Sequence, residues 1–388
     1  MTPPTRSPGR DRPLRWRFHL QLVALLPLAL GLSWAAGRAP EWSERIYSQG
    51  VYPVIAGFLA RTFGWLPFAA VEVLILLLMA IVMVRILRGL RAWRKGRRTL
   101  ANLAAQALIQ LLSGAALAVF LFTALWGLNY RRSPLGQRLG LDLRPPTAAE
   151  LLEFGLDGRR QLEELGVQLP READGTLSPR APGLGSLAAV RRGYEALPGA
   201  LAGTAPLPRY PKYPWTSFLL YGTQTRGIFS PFTGEPLVSR GLPVAQLPFI
   251  AAHELGHQRG YAREEEASFI GLLACRSHPD PAWRYSGALE AFTETCTALA
   301  AADRASLAQL VSDLPAGVQA DMKAAAAWNR RHSTPVARAS AKVYGRYLRA
   351  QGQAAGILSY RQVLLLLLGE RRRSQGRIAP MESGPPHD

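Results

Sequence analysis

Two histidines, His253 and His257, lie four residues apart in the segment FIAAHELGHQRGYAREEEASF, residues 249–269. On a helix this spacing projects both imidazoles from one face, and Glu254 lies beside them, turned by about 100°. Two neutral imidazoles arranged in this way can hold Zn²⁺, while the glutamate accepts a proton from the water that the metal activates for attack on a carbonyl. The alternative is a surface helix with two incidental histidines. The apolar residues before the motif and the glycine and acids after it favour the metal site.

The ends of this helix can be predicted as well. Pro248 suits the first turn, where its missing N–H costs nothing, and Gly260 suits a C-terminal cap, where the backbone is often left-handed. The longer metzincin pattern H-E-x-x-H-x-x-G-x-x-H matches as far as Gly260 and then fails, because Arg263 stands in the place of its third histidine. The third ligand must therefore come from elsewhere.

A catalytic zinc site takes three protein ligands and leaves one position for water. Glu264, Glu265 and Glu266 stand at the start of a second predicted helix, EEEASFIGLLAC. We expect Glu264 to be the third ligand, with Glu266 as the alternative, since the two lie on different faces of the helix and are not equivalent. Acids at a helix N-terminus are also favoured by the helix dipole, and this effect accounts best for Glu265.

A further group could steady the oxyanion of a tetrahedral intermediate, a role that a phenol, an imidazole or a guanidinium can fill. The candidates are Tyr261, His278, Arg284 and Tyr285, of which Tyr285 in RYSG is preferred. For each of them a structural role is the commoner alternative. Upstream, the segment GEPLVSRGL, residues 234–242, is predicted to be an edge strand that pairs with an extended peptide.

Three apolar runs precede these residues and predict transmembrane helices. They cover about residues 20–36, 66–84 and 104–128, and each has roughly the 17 to 25 residues that a spanning helix needs. Three such runs in one third of the chain argue against buried helices of a soluble protein. The first run, with its basic start and its small residues SWAAG, also resembles a cleavable signal peptide, but its length favours retention.

The charge distribution predicts the orientation of these helices. The chain has 46 Lys and Arg against 27 Asp and Glu, for a net charge of +19. Seven basic residues and no acid separate the second and third runs: Arg85, Arg88, Arg91, Arg94, Lys95, Arg97 and Arg98. The positive-inside rule places this loop and the N-terminus in the cytoplasm and everything after Tyr130 outside. The cluster lacks interleaved aromatic residues and any nucleic-acid-binding motif, so we expect no nucleic-acid partner.

The chain therefore divides into a membrane domain of residues 1–130, an extracytoplasmic domain of residues 131–370 and a disordered tail of residues 371–388. The extracytoplasmic domain is predicted to be mostly helical, with one or two short strands. Thr147 and Glu150 fit a capping box at the start of one of its helices. The predicted fold class is thus a mainly α membrane protein with an α+β outer domain.

The two cysteines, Cys275 and Cys296, both fall in this outer domain, where an oxidising compartment permits a disulfide. If their helices form a hairpin that turns near Pro281, the two positions are not opposite each other. Two buried thiols are therefore the preferred expectation.

Four stretches resemble an uncharacterised family of bacterial membrane proteins known as domain of unknown function 3810: LWGLNYRR, GIFSPFTGEP, HELGHQRGYAREEEASF and RYSGALEA. The resemblance covers much of the chain and is most specific over residues 227–269. It implies a multi-pass protein of the bacterial cell membrane with a zincin-like domain outside the cytoplasm. The segment EEEAS is also similar to E-x-E-A-N of gluzincin-like families, whose first glutamate binds zinc. That glutamate corresponds to Glu264, and Ser268 replaces the asparagine, so we expect the glutamate to be oriented less firmly.

Together these features predict a zinc-dependent peptidase that is anchored in the lipid bilayer and hydrolyses a peptide or protein substrate, with Glu254 as the general base. The alternative is a non-enzymatic membrane sensor or scaffold with a structural or degenerate zinc site. A structural site has no use for a general base, so the intact Glu254 favours the enzyme. The sequence does not separate membrane proteins, secreted peptides and cell-wall peptides as substrates, and it does not indicate an oligomeric state.

Overall fold

Three long apolar helical segments open the structure, a computed structural model that describes residues 13–202, 210–353 and 362–375. The segments are Phe18–Arg38, Ala70–Arg94 and Leu100–Leu125, and each is long and apolar enough to cross a membrane. Most of their side chains are not buried against the rest of the chain, as expected for surfaces that face lipid. Three long apolar helices are therefore confirmed where spanning helices were predicted, although the second begins at Ala70 and not near residue 66. The second continues past its apolar run to Arg94, because arginine and leucine are both good helix formers.

The N-terminal part contains six α-helices: α1 (Pro13–Val23), α2 (Leu25–Arg38), α3 (Pro40–Trp42), α4 (Tyr52–Phe63), α5 (Ala70–Arg94) and α6 (Leu100–Leu125). Helices α1 and α2 together make the first span and pack on α6, the third span. A π-helical segment, Ser43–Val51, joins α3 to α4. The chain between the first two spans is therefore largely helical. The retention of the first span, rather than its cleavage as a signal peptide, stays a prediction.

The C-terminal region is mainly helical around one small sheet, which confirms the predicted fold class. Its elements are α7 (Leu135–Arg138), α8 (Ala148–Gly166), α9 (Val190–Glu195), α10 (Gly199–Ala202), α11 (Ser217–Gly222), β1 (Gly227–Ser230), β2 (Glu235–Val238), α12 (Leu247–Gln258), α13 (Glu264–Arg276), α14 (Pro281–Ala302), α15 (Arg304–Val311), α16 (Ala316–Arg331), α17 (Pro335–Ala350) and α18 (Val363–Gln375). The predicted capping box forms at the start of α8 between Thr147 and Glu150. The predicted disordered tail, residues 371–388, overlaps α18 as far as Gln375, and its remainder lies outside the described residues.

The core of this region forms around α12, in which every residue from Pro248 to Gln258 is buried. Helices α13 and α14, together with both strands, pack around it, so α12 has no solvent-facing stripe of polar residues. Its polar side chains therefore lie in the interior, where each needs a partner. Cys275 and Cys296 are free and buried, as predicted.

The sheet contains two antiparallel strands, with Gly227 of β1 opposite Val238 of β2. The other side of β2 pairs with Lys212, whose N–H donates to Pro236 O at 3.0 Å and whose carbonyl accepts from Val238 N at 2.9 Å. The prediction that residues 234–242 form an edge strand was therefore wrong, because hydrogen bonds cover β2 on both sides. Within the described residues no strand pairs with the outer edge of β1.

The C-terminal region is joined to the start of α5, the second span, by two buried carboxylates. Glu235 of β2 accepts hydrogen bonds from Ala70 N at 3.0 Å and from Val71 N at 3.1 Å. Glu72, the one charged residue in the predicted second span, accepts from Trp215 N at 2.9 Å. The first N–H groups of a helix have no partner within it and favour a negative charge. This end of α5 is therefore fixed against the C-terminal region.

Candidate metal centre

Helices α12 and α13 bring three potential metal ligands together. Glu264 Oε2 lies 3.3 Å from His253 Nε2 and 3.4 Å from His257 Nε2. One ligand atom from each residue lies within 4.8 Å of the other two, and all three residues are buried. Imidazole nitrogens and a carboxylate oxygen are ordinary ligands of divalent metals. The group can hold a metal ion.

A tight turn between the two helices makes this meeting possible. Gly260 follows α12 with φ of +91°, a left-handed conformation that strains any residue with a side chain. The N–H of Tyr261 then donates to Gly256 O at 3.1 Å, as in a left-handed helix cap. The chain reverses within a few residues and returns Glu264 to the histidine face of α12. The cap predicted at Gly260 is confirmed.

The other nitrogen of each histidine is also bound. His257 Nδ1 lies 2.8 Å from Tyr261 O, and because a carbonyl only accepts, Nδ1 carries the proton and Nε2 is left as the ligand atom. His253 Nδ1 lies 3.1 Å from Ser268 Oγ. Such partners orient metal-binding histidines and maintain their basicity. Ser268 thus contacts His253, and the expectation that a serine in the asparagine place orients Glu264 less firmly stays a prediction.

Glu264 is a buried carboxylate whose pKa depends on the two histidines beside it. Burial alone would raise the pKa of Glu264, but His257 and His253 hold this pKa well below its usual range. Burial would likewise lower the pKa of His257, whereas Glu264 raises it to about 9. Glu264 Oε2 is buried and has no hydrogen-bond partner among the described residues. A buried carboxylate in this state requires a nearby cation, so the donor set fits a divalent metal.

Glu254 lies beside the ligands and is not one of them. Its Oε2 is buried without a hydrogen-bond partner in the described part of the chain. Burial raises the pKa of Glu254 to about 8, against the opposing charge of His257. A Cβ at Gly227 of β1 would lie 2.5 Å from Glu254 Oε1, so only glycine permits this approach. The edge strand and the candidate base are therefore in direct contact.

The two other acids of the EEE run point elsewhere. Glu266 Oε1 accepts from Leu135 N at 2.7 Å and from Arg263 Nη1 at 3.2 Å. Glu265 is half-buried in the first turn of α13. The structure thus brings Glu264, and not the alternative Glu266, to the two histidines.

Tyr285, the preferred oxyanion residue from the sequence, is bonded to another part of the region. Its hydroxyl donates to Asp321 Oδ2 at 2.6 Å, and the Arg171 guanidinium lies 5.0 Å from the centre of its ring. The hydroxyl of Tyr261 likewise donates to Leu201 O at 2.9 Å. A role for Tyr285 at the metal centre stays a prediction.

A tyrosine that the sequence analysis missed does reach the centre. The hydroxyl of Tyr344, on α17, donates to Glu264 Oε1, and its half-exposed ring stacks on Tyr347 with centroids 5.7 Å apart. The Tyr347 hydroxyl in turn donates to Tyr130 at 3.2 Å. The sequence signal for Tyr344 was a pair of tyrosines three residues apart on a predicted amphipathic helix. Such a spacing does not show where the helix packs.

The metal centre lies at the end of the third span. Trp126 follows α6 directly, and its indole N–H donates to His257 O at 3.0 Å. The two rings also meet edge to face, with centroids 5.9 Å apart. The hydroxyl of Tyr52, at the start of α4, donates to Gln258 O at 2.7 Å. Residues of the membrane part therefore hold the C-terminal end of α12.

Residues 47–368 match the family model described as "Protein of unknown function (DUF3810)". The match includes the second and third spans, both strands and all three potential ligands. No curated protein and no solved structure matches the chain. The chemistry must therefore be argued from the site itself.

Proposed function

The chain belongs to the DUF3810 family, whose description names no activity, and from its metal centre we propose that it is a membrane-anchored zinc-dependent peptidase. The observation that carries the proposal is the position of Glu254. A buried carboxylate, with one oxygen that has no partner among the described residues, lies next to a His–His–Glu group and to the half-buried end of a strand. That combination fits a proton acceptor poised beside a metal and a substrate.

The ligand set supports a catalytic rather than a structural site. His253, His257 and Glu264 would hold the ion, and among the described residues no fourth His, Cys, Asp or Glu joins the group. Structural zinc sites are closed by four protein ligands, whereas catalytic sites have three. Zinc bound there would supply a water that ionises near neutral pH and a positive charge for the substrate carbonyl.

The chain's own residues would move the proton and steady the developing charge. Glu254 accepts a proton from the attacking water and returns it to the leaving nitrogen, as general base and then general acid. Tyr344 already donates a hydrogen bond at the centre, and its hydroxyl can donate to the substrate oxygen as negative charge builds there. Tyr285 is the alternative for this second role.

The outer edge of β1 suits an extended peptide. An extended chain can add to an unpaired strand edge through backbone hydrogen bonds. Gly227, the first residue of β1, touches Glu254, so a peptide paired along β1 would bring a backbone carbonyl to the base. This geometry favours peptides over small esters or sugars as substrates.

We place the metal centre outside the cytoplasm of a bacterial cell. The basic loop between α5 and α6 lies at the opposite end of these helices from Trp126 and the metal centre. By the positive-inside rule that loop is cytoplasmic. The substrate would therefore be encountered at the outer face of the membrane.

The test is Glu254→Gln in the full-length purified protein. Glutamine keeps the shape of the side chain but cannot accept a proton, so we expect zinc content to be unchanged and peptide hydrolysis to fall by at least about 100-fold. Mass spectrometry of the products released from a peptide library, with and without a chelator, measures the activity. His257→Ala is the matched control and should lose zinc and activity together.

Two results would contradict the proposal. Wild-type protein that carries zinc but releases no product above the chelator control would leave the sensor or scaffold as the better reading. Full activity in Glu254→Gln would remove the assigned base.

A further inference from the structure

Outside the three spans, four large exposed apolar side chains lie in the two segments where the C-terminal region meets the start of the second span. Trp65, Trp215, Phe218 and Leu219 are 61%, 57%, 66% and 58% exposed. We call these four residues the apolar rim. Large exposed apolar patches mark a partner or a membrane. We propose that the apolar rim lies in the headgroup layer of the outer leaflet, and that the peptidase cleaves polypeptides anchored in the same membrane, close to their anchors.

Direct contacts connect the rim to the end of the second span. Trp215 N and Thr216 N donate to Glu72 at 2.9 and 2.7 Å, and Glu72 lies in the first turn of α5. The rings of Phe68 and Trp215 lie 5.5 Å apart. Phe218 and Leu219 follow Trp215 within one helical turn, in α11. The rim is therefore at the level at which the span leaves the hydrocarbon layer.

The composition of this segment fits that layer. Residues 213–223, YPWTSFLLYGT, contain no charged residue and three aromatic residues in their first six. Tryptophan and tyrosine are enriched where a protein crosses the membrane–water interface. The headgroup layer is only about 5 to 8 Å thick on each side of the bilayer, so one tryptophan side chain extends across most of it. Lipid, rather than a second copy or a soluble partner, is the occupant that continues an existing membrane contact.

The metal centre lies close to the same level. Trp126 follows the third span directly, and its ring centroid is 5.9 Å from that of His257. The distance from the end of the span to a metal ligand is thus about the thickness of the headgroup layer. A peptide bond has to come this close to the membrane surface to be cleaved.

Strand β1 runs along the membrane end of the region. It begins with Gly227 beside Glu254, and Phe229 packs on Trp126 with ring centroids 5.4 Å apart. At the hairpin turn, Gly234 lies against Leu59 of α4, a helix that connects the first two spans. A peptide paired with β1 would therefore lie along the ends of the spans. A chain that is tethered in the same bilayer needs only a short linker to adopt this position.

Site-directed spin labelling tests the position of the rim without reference to activity. Labels are placed by Phe218→Cys or Leu219→Cys in the full chain reconstituted in vesicles, with the two buried cysteines replaced by alanine. Val167→Cys is the matched control, because Val167 is 82% exposed at the end of α8. We expect labels at 218 and 219 to collide more with oxygen than with a water-soluble nickel complex, and the label at 167 to show the reverse.

Other occupants would give different spectra. Dipolar broadening between labels at 218 would mean that a second copy covers the rim. If the nickel complex reached the labels at 218 and 219 as readily as the label at 167, the rim would face solvent. Either result overturns the membrane position.

The substrate class rests on the proposed peptidase activity and needs a separate probe. A random peptide library is divided into three portions. The first is attached directly to a palmitoyl anchor, the second is attached to the same anchor through a long polymer spacer, and the third is left free. We expect the directly anchored library to be cleaved at least about tenfold faster than the free one, at bonds within about three residues, or 10 Å, of the anchor.

Anchoring concentrates both tethered libraries equally, so cleavage of only the long-spacer library would overturn the inference. Equal cleavage of all three would do so as well, while leaving the peptidase intact. Cleavage of none, with zinc bound, would instead contradict the peptidase.

Discussion

The metal centre has a floor and a cover that differ in construction. The floor consists of His253, His257 and Glu264, all buried in the α12–α13 pair and within twelve residues of one another in sequence. The cover is α17, which contributes the half-exposed Tyr344 from 80 residues beyond Glu264. A metal needs fixed ligands, and burial fixes them; a substrate needs access, which a half-exposed element permits. From this difference we propose that metal binding depends on the floor and substrate handling on the cover and the adjacent β1 edge.

The largest effect is expected from the floor itself. The wild-type chain should bind about one zinc, since the three ligands form one site. Glu264→Ala removes a ligand and leaves two histidines, so nearly all zinc and all hydrolysis should be lost. Glu265→Ala and Glu266→Ala are the controls, and both should retain the metal. Elemental analysis of the purified full-length variants measures this. Zinc lost from Glu266→Ala but kept by Glu264→Ala would show that the third ligand is wrong.

The next effect is expected from the cover. Tyr344→Phe removes only the hydroxyl, so its ring should keep stacking on Tyr347. We expect kcat at saturating zinc to fall about 100-fold, the lower end for loss of an oxyanion donor. Zinc affinity should weaken only about tenfold, because the hydroxyl also donates to Glu264, a metal ligand. Tyr347→Phe is the matched control, because it loses a bond to Tyr130 and none to the centre. If Tyr344→Phe loses zinc in proportion to activity, Tyr344 belongs to the floor, and the distinction between floor and cover fails.

The β1 edge should give an intermediate effect. In Gly227→Ala the new Cβ would meet Glu254 Oε1 at 2.5 Å, so the carboxylate must shift. A displacement of about 1 Å at a catalytic group can cost up to 100-fold in rate, and since this side chain can partly adjust we expect about 30-fold, with zinc retained. Gly185→Ala is the control, because no atom lies within 4 Å of its added Cβ. Unchanged activity in Gly227→Ala would argue against Glu254 as the base.

Sequence predicted the floor better than the cover for a physical reason. The helical period places His253 and His257 on one face, and Gly260 marks the turn that returns Glu264 to them. All of this information is local. The contact of Tyr344 with Glu264 depends on where the fold places α17 relative to α13, which no spacing within α17 encodes.

The same reasoning explains the error in the strands and the contact that Ser268 makes. Residues 234–242 have the composition of an edge strand, but Lys212 pairs with β2, so that among the described residues β1 is the edge. Ser268 occupies the place of an asparagine in related motifs, yet the fold directs its hydroxyl to His253. Composition shows which segments can form strands or caps. Tertiary contacts decide which atoms they meet.

The smallest effect is expected at the hydrogen bond behind the floor. Ser268→Ala removes the partner of His253 Nδ1 while all three ligands remain. Loss of such a partner weakens metal affinity by about tenfold at the low end, so competition with a chromophoric chelator should show a tenfold rise in the zinc dissociation constant. Ser277→Ala, at an exposed position just after α13, is the control and should show no change. At saturating zinc the kcat of Ser268→Ala should match wild type, because the hydroxyl acts on a ligand and not on the substrate. A fall in kcat that added zinc does not restore would mean that the floor also shapes the reaction, and that metal binding and substrate handling are not divided between floor and cover.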